Sequence, residues 1–114
     1  NELYLCYGMM GAFMQPQGHL QLIRNMVDFG MGPQESIDSP RADCSLPATS
    51  IDPRVGSDVM AALEAKGHRL QAIGNAYVQT GFASFASPVA IIRDSEESFV
   101  AGVDTFHSAH AQGL

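Results

Sequence analysis

The sequence predicts a mixed domain of α-helices and β-strands, and three features carry that prediction. Residues 3–7 form an apolar, partly aromatic run that ends at Gly8 and is typical of a short strand. Residues 17–29 place polar side chains at three- and four-residue steps, which is the period of an amphipathic helix. Residues 88–103 contain two β-rich runs on either side of a polar turn, the pattern of a hairpin.

Composition limits the classes of function. With 114 residues and 46% hydrophobic content, the chain can form one modest core. Its net charge of -6 disfavours nucleic acid and anionic membranes as partners, because both require clustered Lys and Arg. No apolar run approaches the length of a membrane span. The sequence begins with Asn1 and not with Met, so we expect a piece of a longer protein. The sequence does not predict the cellular compartment of that protein.

The first third of the chain predicts a strand, a turn and a helix. Gly8 and Gly11 permit a turn whose main-chain N–H groups point away from any β-ladder, and Met9 and Met10 are expected to pack beneath it. Pro16 suits the first turn of the following helix, since its missing N–H is no loss there. The helix has a wide apolar face, which requires a sheet to cover it.

Three further segments follow the first helix. A second helix is expected from Pro33 to about residue 37, a loop over residues 42–51, and a third helix that Asp52 or Ser57 caps and that ends at Lys66. Its predicted inner face consists of Val55, Val59, Ala62 and Leu63. Two short strand-like runs, at residues 68–73 and 75–80, precede the hairpin of residues 88–93 and 99–103, and the tail after residue 104 is expected to be loose.

Neither the cysteines nor the histidines predict a metal site or a cofactor. Cys6 and Cys44 are far apart and are interpreted as small hydrophobic side chains. His107 and His110 have the spacing of two ligands on one helix, but no carboxylate or Cys completes the set. We interpret them as part of a frayed tail.

The order of the motifs in the first third resembles the γ-glutamyltransferase family of N-terminal-nucleophile (Ntn) hydrolases. The family pattern is a Gly-x-x-Gly-Gly turn, a Pro-Gln pair, an amphipathic helix, a Gly-x-x-Pro-x-x-Ala turn and an Asp-Ala-Pro-Arg tetrad. The corresponding residues here are Gly8-Met9-Met10-Gly11-Ala12, Gln15-Pro16-Gln17, Gly30-Met31-Gly32-Pro33-Gln34-Glu35-Ser36 and Asp38-Ser39-Pro40-Arg41. The resemblance implies that residues 1–114 are the C-terminal part of the small, catalytic subunit. It also implies an α+β fold, a fragment of a four-layer αββα structure with an antiparallel sheet packed by helices.

The resemblance also implies an activity and a site. In the family, a Thr freed by self-cleavage attacks a γ-glutamyl amide, and the two adjacent glycines donate main-chain N–H groups to the oxyanion. Those positions are Gly11 and Ala12 here. Ala12 supplies the same N–H unless the position needs a positive φ. Thr49, Thr80 and Thr105 are internal, so the nucleophile is expected upstream, in the rest of the same precursor.

Other polar residues of this stretch have two interpretations each. Gln15 and Gln17 are candidate substrate ligands, but we favour hydrogen bonds to the helix start and to loop backbone. Asp38 and Arg41 are a candidate acid–base pair, but we favour a structural role at the junction between helix and loop. For the whole chain, the alternatives to a γ-glutamyltransferase-like enzyme are a related Ntn amidohydrolase or acylase on another amide, and a non-catalytic assembly module.

Overall fold

A computed structural model describes residues 3–44, 47–73, 85–104 and 111–112. The elements in chain order are β1 (Leu5–Met10), a 3-10 turn (Ala12–Met14), α1 (Gln15–Val27), α2 (Pro33–Asp38), β2 (Ala42–Asp43), β3 (Thr49–Ile51), a second 3-10 turn (Pro53–Val55), α3 (Ser57–Ala65), β4 (Leu70–Ala72), β5 (Ser87–Arg93) and β6 (Phe99–Val103). The predicted α+β class is confirmed.

The larger sheet has the strand order β1-β5-β6, and both of its ladders are antiparallel. The ladder between β1 and β5 ends at the pair Met10 and Ser87. The predicted first strand and the predicted C-terminal hairpin are therefore confirmed. The ladder matters for function because it fixes where the chain leaves β1 and enters the glycine turn.

Helices α1 and α2 cover one face of this sheet. Their inward side chains form a core with the sheet that consists of Leu22, Met26, Ile37 and Ala90, with Leu5 and Ile92 packed beside it. A Cβ built on Gly102 would lie 2.6 Å from the backbone nitrogen of Gln34, so only glycine lets the α2 backbone lie directly on β6. The Gln34 side chain also exchanges two hydrogen bonds with the main chain of Val103, each 3.0 Å long, and so pairs with β6 as a further strand would.

The prediction of a loop over residues 42–51 is wrong, because β2 and β3 form a second sheet with β4 in the order β2-β3-β4. Strands of two and three residues are too short to show an alternating pattern. The backbone of β2 is held by a side chain of α1, and β3 pairs in turn with β2 and β4. Gln21 accepts from the main-chain nitrogen of Ala42 at 2.9 Å and donates to its oxygen at 2.8 Å.

The third helix also differs from its prediction. It begins at Ser57 with Gly56 at the N-cap, whereas Asp52 caps the preceding 3-10 turn through the main-chain N–H of Arg54. None of its residues is buried, and Val59 is 48% exposed. The pattern of its apolar residues therefore marks a face that the described residues leave uncovered.

The other face of the larger sheet is apolar and open in the described part of the chain. We call it the outer sheet face; register and strand alternation place on it Cys6, Gly8, Met10, Val89, Ile91, Phe99, Ala101 and Val103. Most of its large side chains are exposed, including Met10, for which the predicted packing beneath the turn is wrong. Met9 does pack inward. The predicted strand at residues 75–80 and the tail histidines lie outside the described residues.

Candidate active site

The candidate site is the point at which β1 ends. Arg93 donates from its main-chain nitrogen to the oxygen of Tyr4, so the even-numbered residues of β1 direct their N–H groups toward β5. By this alternation the N–H of Gly11 points away from β5, toward the edge of β1 with which no described strand pairs. Among the described residues, no hydrogen bond is donated by the main-chain nitrogens of Gly11 or Ala12. Two consecutive N–H donors thus stand outside the ladder.

The 3-10 turn that follows keeps these donors in place. Met14 donates from its main-chain nitrogen to the Gly11 oxygen at 2.9 Å, and the Gln15 nitrogen donates to the Ala12 oxygen. The carbonyl groups of the turn are therefore used internally, while its first two N–H groups are not. An arrangement of this kind can bind a negatively charged oxygen without any reorganisation of the protein.

Ala12 has φ 47°, which is the left-handed region that favours glycine. The sequence left open whether this position needs a positive φ, and the structure shows that it does. The position still supplies its N–H, because the donor belongs to the backbone. An L-residue in this conformation costs about 1 to 2 kcal/mol, a cost that the second glycine of the family pattern avoids.

Gly11 is required by close packing. A Cβ built on Gly11 would lie 2.3 Å from the Cβ of Ala86 and 2.9 Å from its Cα. Ala86 is fully buried and has φ 62°, a second left-handed alanine beside the first. With Met14 and Phe85 it forms a small core directly under the turn, against which Met9 packs.

Ala86 belongs to this site although nothing in the sequence predicts it. No local motif identifies it, because its significance lies in a contact with a residue far away in the sequence. Phe13, the residue after Ala12, was not predicted to belong to the site either, and its side chain is 94% exposed.

For Gln17, the favoured structural interpretation is confirmed. Its side-chain oxygen accepts from the Cys44 main-chain nitrogen at 2.8 Å, and its amide nitrogen donates to the Asp43 carboxylate at 3.2 Å. It therefore holds the loop after β2 against α1. Gln15 begins α1 and is half-buried, and its side chain makes no hydrogen bond within the described residues.

Asp38 and Arg41 also have structural partners. The Asp38 carboxylate accepts from the Gln34 side chain at 3.1 Å, and the Asp38 main-chain oxygen accepts from Arg54 at 2.8 Å. Arg41 is buried, and its main-chain oxygen accepts from the Asp52 nitrogen at 3.0 Å. These contacts place both residues at the junction between α2 and the second sheet, as the structural interpretation expected.

The electrostatics of this junction centre on Asp52. Burial alone would raise the pKa of its carboxyl group, but hydrogen bonds from the side chain and main chain of Arg54 and the positive charges of Arg54 and Arg41 lower that pKa below its ordinary value. Asp52 therefore remains a carboxylate and caps the 3-10 turn in that form.

The described residues contain no group of three or more side chains arranged to hold a metal ion. No helix in the described part of the chain is both long and apolar enough to cross a membrane. Thr49 lies within β3, so it is not a free N-terminal nucleophile in this chain.

The antiparallel sheet and its covering helices match part of the Ntn-hydrolase fold of γ-glutamyltranspeptidases of known structure. A model of the family described as Gamma-glutamyltranspeptidase matches residues 1–114. The chain therefore belongs to the γ-glutamyltranspeptidase family, and the predicted resemblance is confirmed.

Solved structures agree with this assignment. The chain resembles cephalosporin acylase from Bacillus halodurans with 32% identity and a TM-score of 0.76, over 95% of this chain and 20% of the acylase. It resembles γ-glutamyltranspeptidase from Pseudomonas nitroreducens with 16% identity and a TM-score of 0.80, over 100% of this chain and 57% of that one. It also resembles the transpeptidase CapD from Bacillus anthracis, with 15% identity and a TM-score of 0.80, over 100% of this chain and 66% of that one. A search of curated proteins gave no match.

The chain spans only a part of each of these relatives, from a fifth of the acylase to about two thirds of CapD. The relatives are enzymes, transpeptidases and an acylase, and the sequence described here corresponds to one portion of them.

Proposed function

We propose that residues 1–114 are the C-terminal part of the small subunit of a γ-glutamyltransferase-like enzyme. The parent enzyme transfers or hydrolyses the γ-glutamyl group of glutathione or related γ-glutamyl amides. The observation that carries the proposal is the turn at the end of β1, where Gly11 and Ala12 direct two N–H groups outside the ladder and Ala12 adopts a positive φ.

The proposed chemistry divides between this chain and the rest of the precursor. An N-terminal Thr located upstream attacks the amide carbonyl carbon, and its own α-amine takes the proton. The carbonyl oxygen becomes an oxyanion, to which Gly11 and Ala12 donate their main-chain N–H groups. Collapse of this intermediate breaks the amide bond and releases the protonated amine. Water or an amino acid then attacks the ester carbonyl of the acyl-enzyme. This attack forms a second oxyanion, which the same two N–H groups bind.

The two donors are expected to supply much of the rate enhancement. Loss of a single oxyanion donor typically costs about 2.7 to 4 kcal/mol of transition-state stabilisation. The turn suits this role because Met14 and Ala86 hold it from beneath, so the donors need not reorganise during the reaction.

The proposed partner of this chain is the remainder of its own precursor, that is, the large subunit and the N-terminal part of the small subunit. The outer sheet face is the surface that fits such a partner, since exposed apolar side chains on a sheet pack well against a second sheet. Leu20 and Val27 of α1, and Phe29 just after the helix, expose further apolar area.

The test uses the full-length parent enzyme and two anilides that differ only in the α-amine of the acyl group. A γ-glutamyl anilide carries that amine and a glutaryl anilide lacks it. The proposal expects kcat/KM for the γ-glutamyl substrate to exceed that for the glutaryl substrate by at least about tenfold, because a site that binds the amine leaves its own polar groups unpaired without it. The isolated 114-residue chain should release no amine, since the nucleophile lies elsewhere.

A second candidate function is that of an acylase on another amide. The identity of 32% to the cephalosporin acylase exceeds the 15–19% to the transpeptidases, and this difference favours it. The same turn would serve either reaction. Equal or faster turnover of the glutaryl anilide would select the acylase, and turnover by the isolated chain would contradict both candidates.

A further inference from the structure

We propose that Ala86 is a positioning residue for the oxyanion turn. Its methyl group and backbone determine where the N–H groups of Gly11 and Ala12 lie. This inference rests on the proposed function, because it assigns to Ala86 the placement of the donors that the proposed reaction uses.

The contact between Gly11 and Ala86 is the first argument. A Cβ on Gly11 would come within 2.3 Å of the Ala86 Cβ, so the Gly11 backbone already lies against that methyl group. Ala86 is 0% exposed, and Met14 and Phe85 pack around it. The turn therefore has no free space on this side into which Gly11 could move.

The register of the sheet is the second argument. Met10 and Ser87 are the last pair of the ladder between β1 and β5, and Gly11 and Ala86 are the residues that directly follow and precede that pair. The ladder thus fixes both residues at their point of contact. The pairing of Met10 with Ser87 thus holds the methyl group of Ala86 against Gly11, the first of the two N–H donors.

The backbone of Ala86 supplies the third argument. Its φ of 62° is unfavourable for alanine, and glycine would adopt it without strain. Glycine would keep the same backbone path but would lose the buried contacts of the methyl group with Met14 and Phe85. What alanine adds at this position is the methyl group that touches Gly11.

The test replaces Ala86 by glycine in the full-length parent enzyme. Ala86→Gly relieves the strained φ but removes the methyl group, so the two effects on stability oppose each other and Tm should change by only a few degrees. The turn gains room to move, and misplaced donors should lower kcat by about tenfold with KM within about twofold. Acylation and deacylation should slow in parallel, because both form the oxyanion at the same donors.

Ala90→Gly is the matched control. Ala90 lies in β5, the strand that begins directly after Ala86, is 1% exposed, and packs in the other core with Leu22 and Met26. Its replacement also removes one buried methyl group, but at a distance from the turn. It should lower Tm and leave kcat within about twofold of the parent value.

Equal kcat values for Ala86→Gly and Ala90→Gly would overturn the inference. A backbone variant that deletes the Ala12 N–H separates this failure from failure of the proposed function. If that variant loses activity while Ala86→Gly does not, only the positioning role of Ala86 is wrong. If the Ala12 variant keeps its activity, the proposed oxyanion site and the role of Ala86 are both wrong.

Discussion

Replacing Ala12 by glycine should stabilise the protein, although glycine ordinarily destabilises. The φ of 47° costs an L-residue about 1 to 2 kcal/mol, which glycine does not incur. Glycine loses about 0.5 to 1 kcal/mol more backbone entropy on folding. Ala12 is exposed, so its methyl group contributes little burial. The free energy of unfolding of the parent protein should therefore rise by up to about 1.5 kcal/mol, while kcat stays unchanged because the N–H is kept.

The matched control is Ala61→Gly in the parent protein. Ala61 is also exposed but lies within α3, where glycine costs about 1 kcal/mol relative to alanine. Urea unfolding should thus separate the two variants by roughly 1 to 2.5 kcal/mol, with Ala61→Gly the less stable of the two. If Ala12→Gly destabilises the protein as much as Ala61→Gly, the positive φ and the argument built on it are wrong.

Three other predictions concern stability and assembly. Gly102→Ala should destabilise the parent protein by about 1 to 3 kcal/mol, because the new Cβ would meet the α2 backbone. In the control Gly32→Ala the new Cβ would have no atom within 4 Å, so stability should change by less than about 0.5 kcal/mol. Equal effects would contradict the packing of α2 on β6. Because the pKa of Asp52 is lowered in the folded protein, its carboxylate contributes to the free energy of unfolding above the ordinary Asp pKa of about 3.9, and this contribution is lost as pH falls through the lower folded pKa. Asp52→Asn should therefore reduce the slope of stability against pH in the acid range. An unchanged slope would refute this. The isolated chain should self-associate or melt over a broad range because the described residues leave apolar side chains of the outer sheet face exposed. A sharp melt of a monomer, independent of concentration, would contradict this prediction.

The elements that the sequence predicted correctly are those with a strong local pattern. Helix α1 shows three- and four-residue steps over its whole length, and the C-terminal hairpin has two β-rich runs around a polar turn. Strands β2 and β3 were missed because a side-chain amide of α1, that of Gln21, holds β2, and β3 pairs with β2 and β4; such long-range bonds leave no periodic signal.

The order of the motifs predicted the candidate site, but the sequence did not predict the backbone conformation of the turn or its packing. A glycine at position 12 would have indicated a positive φ, whereas an alanine indicates nothing about the backbone. The contact between Gly11 and Ala86 depends on the register of a ladder between distant segments. Local sequence patterns do not determine that register.

The central claim is that the N–H of Ala12 stabilises the oxyanion, and proline is a poor test of it. Proline fixes φ near −65°, which is incompatible with 47°, so a loss of activity in Ala12→Pro could reflect a misfolded turn. Replacement of Ala12 by L-lactic acid in the full-length parent enzyme avoids this problem. The resulting ester deletes one N–H and keeps the methyl group and the backbone geometry.

The ester also weakens the Gly11 carbonyl group, which accepts from the Met14 nitrogen at 2.9 Å. The corresponding hydroxy acid at Met14 deletes that same bond from the donor side and is the matched control. The direct measurement is kcat of both esters on a γ-glutamyl anilide, with folded yield and KM recorded alongside. The oxyanion role predicts a fall in kcat of about two to three orders of magnitude for the Ala12 ester, far more than for the Met14 ester. A folded Ala12 ester with near-normal kcat would contradict the claim and leave the turn a connection between strand and helix.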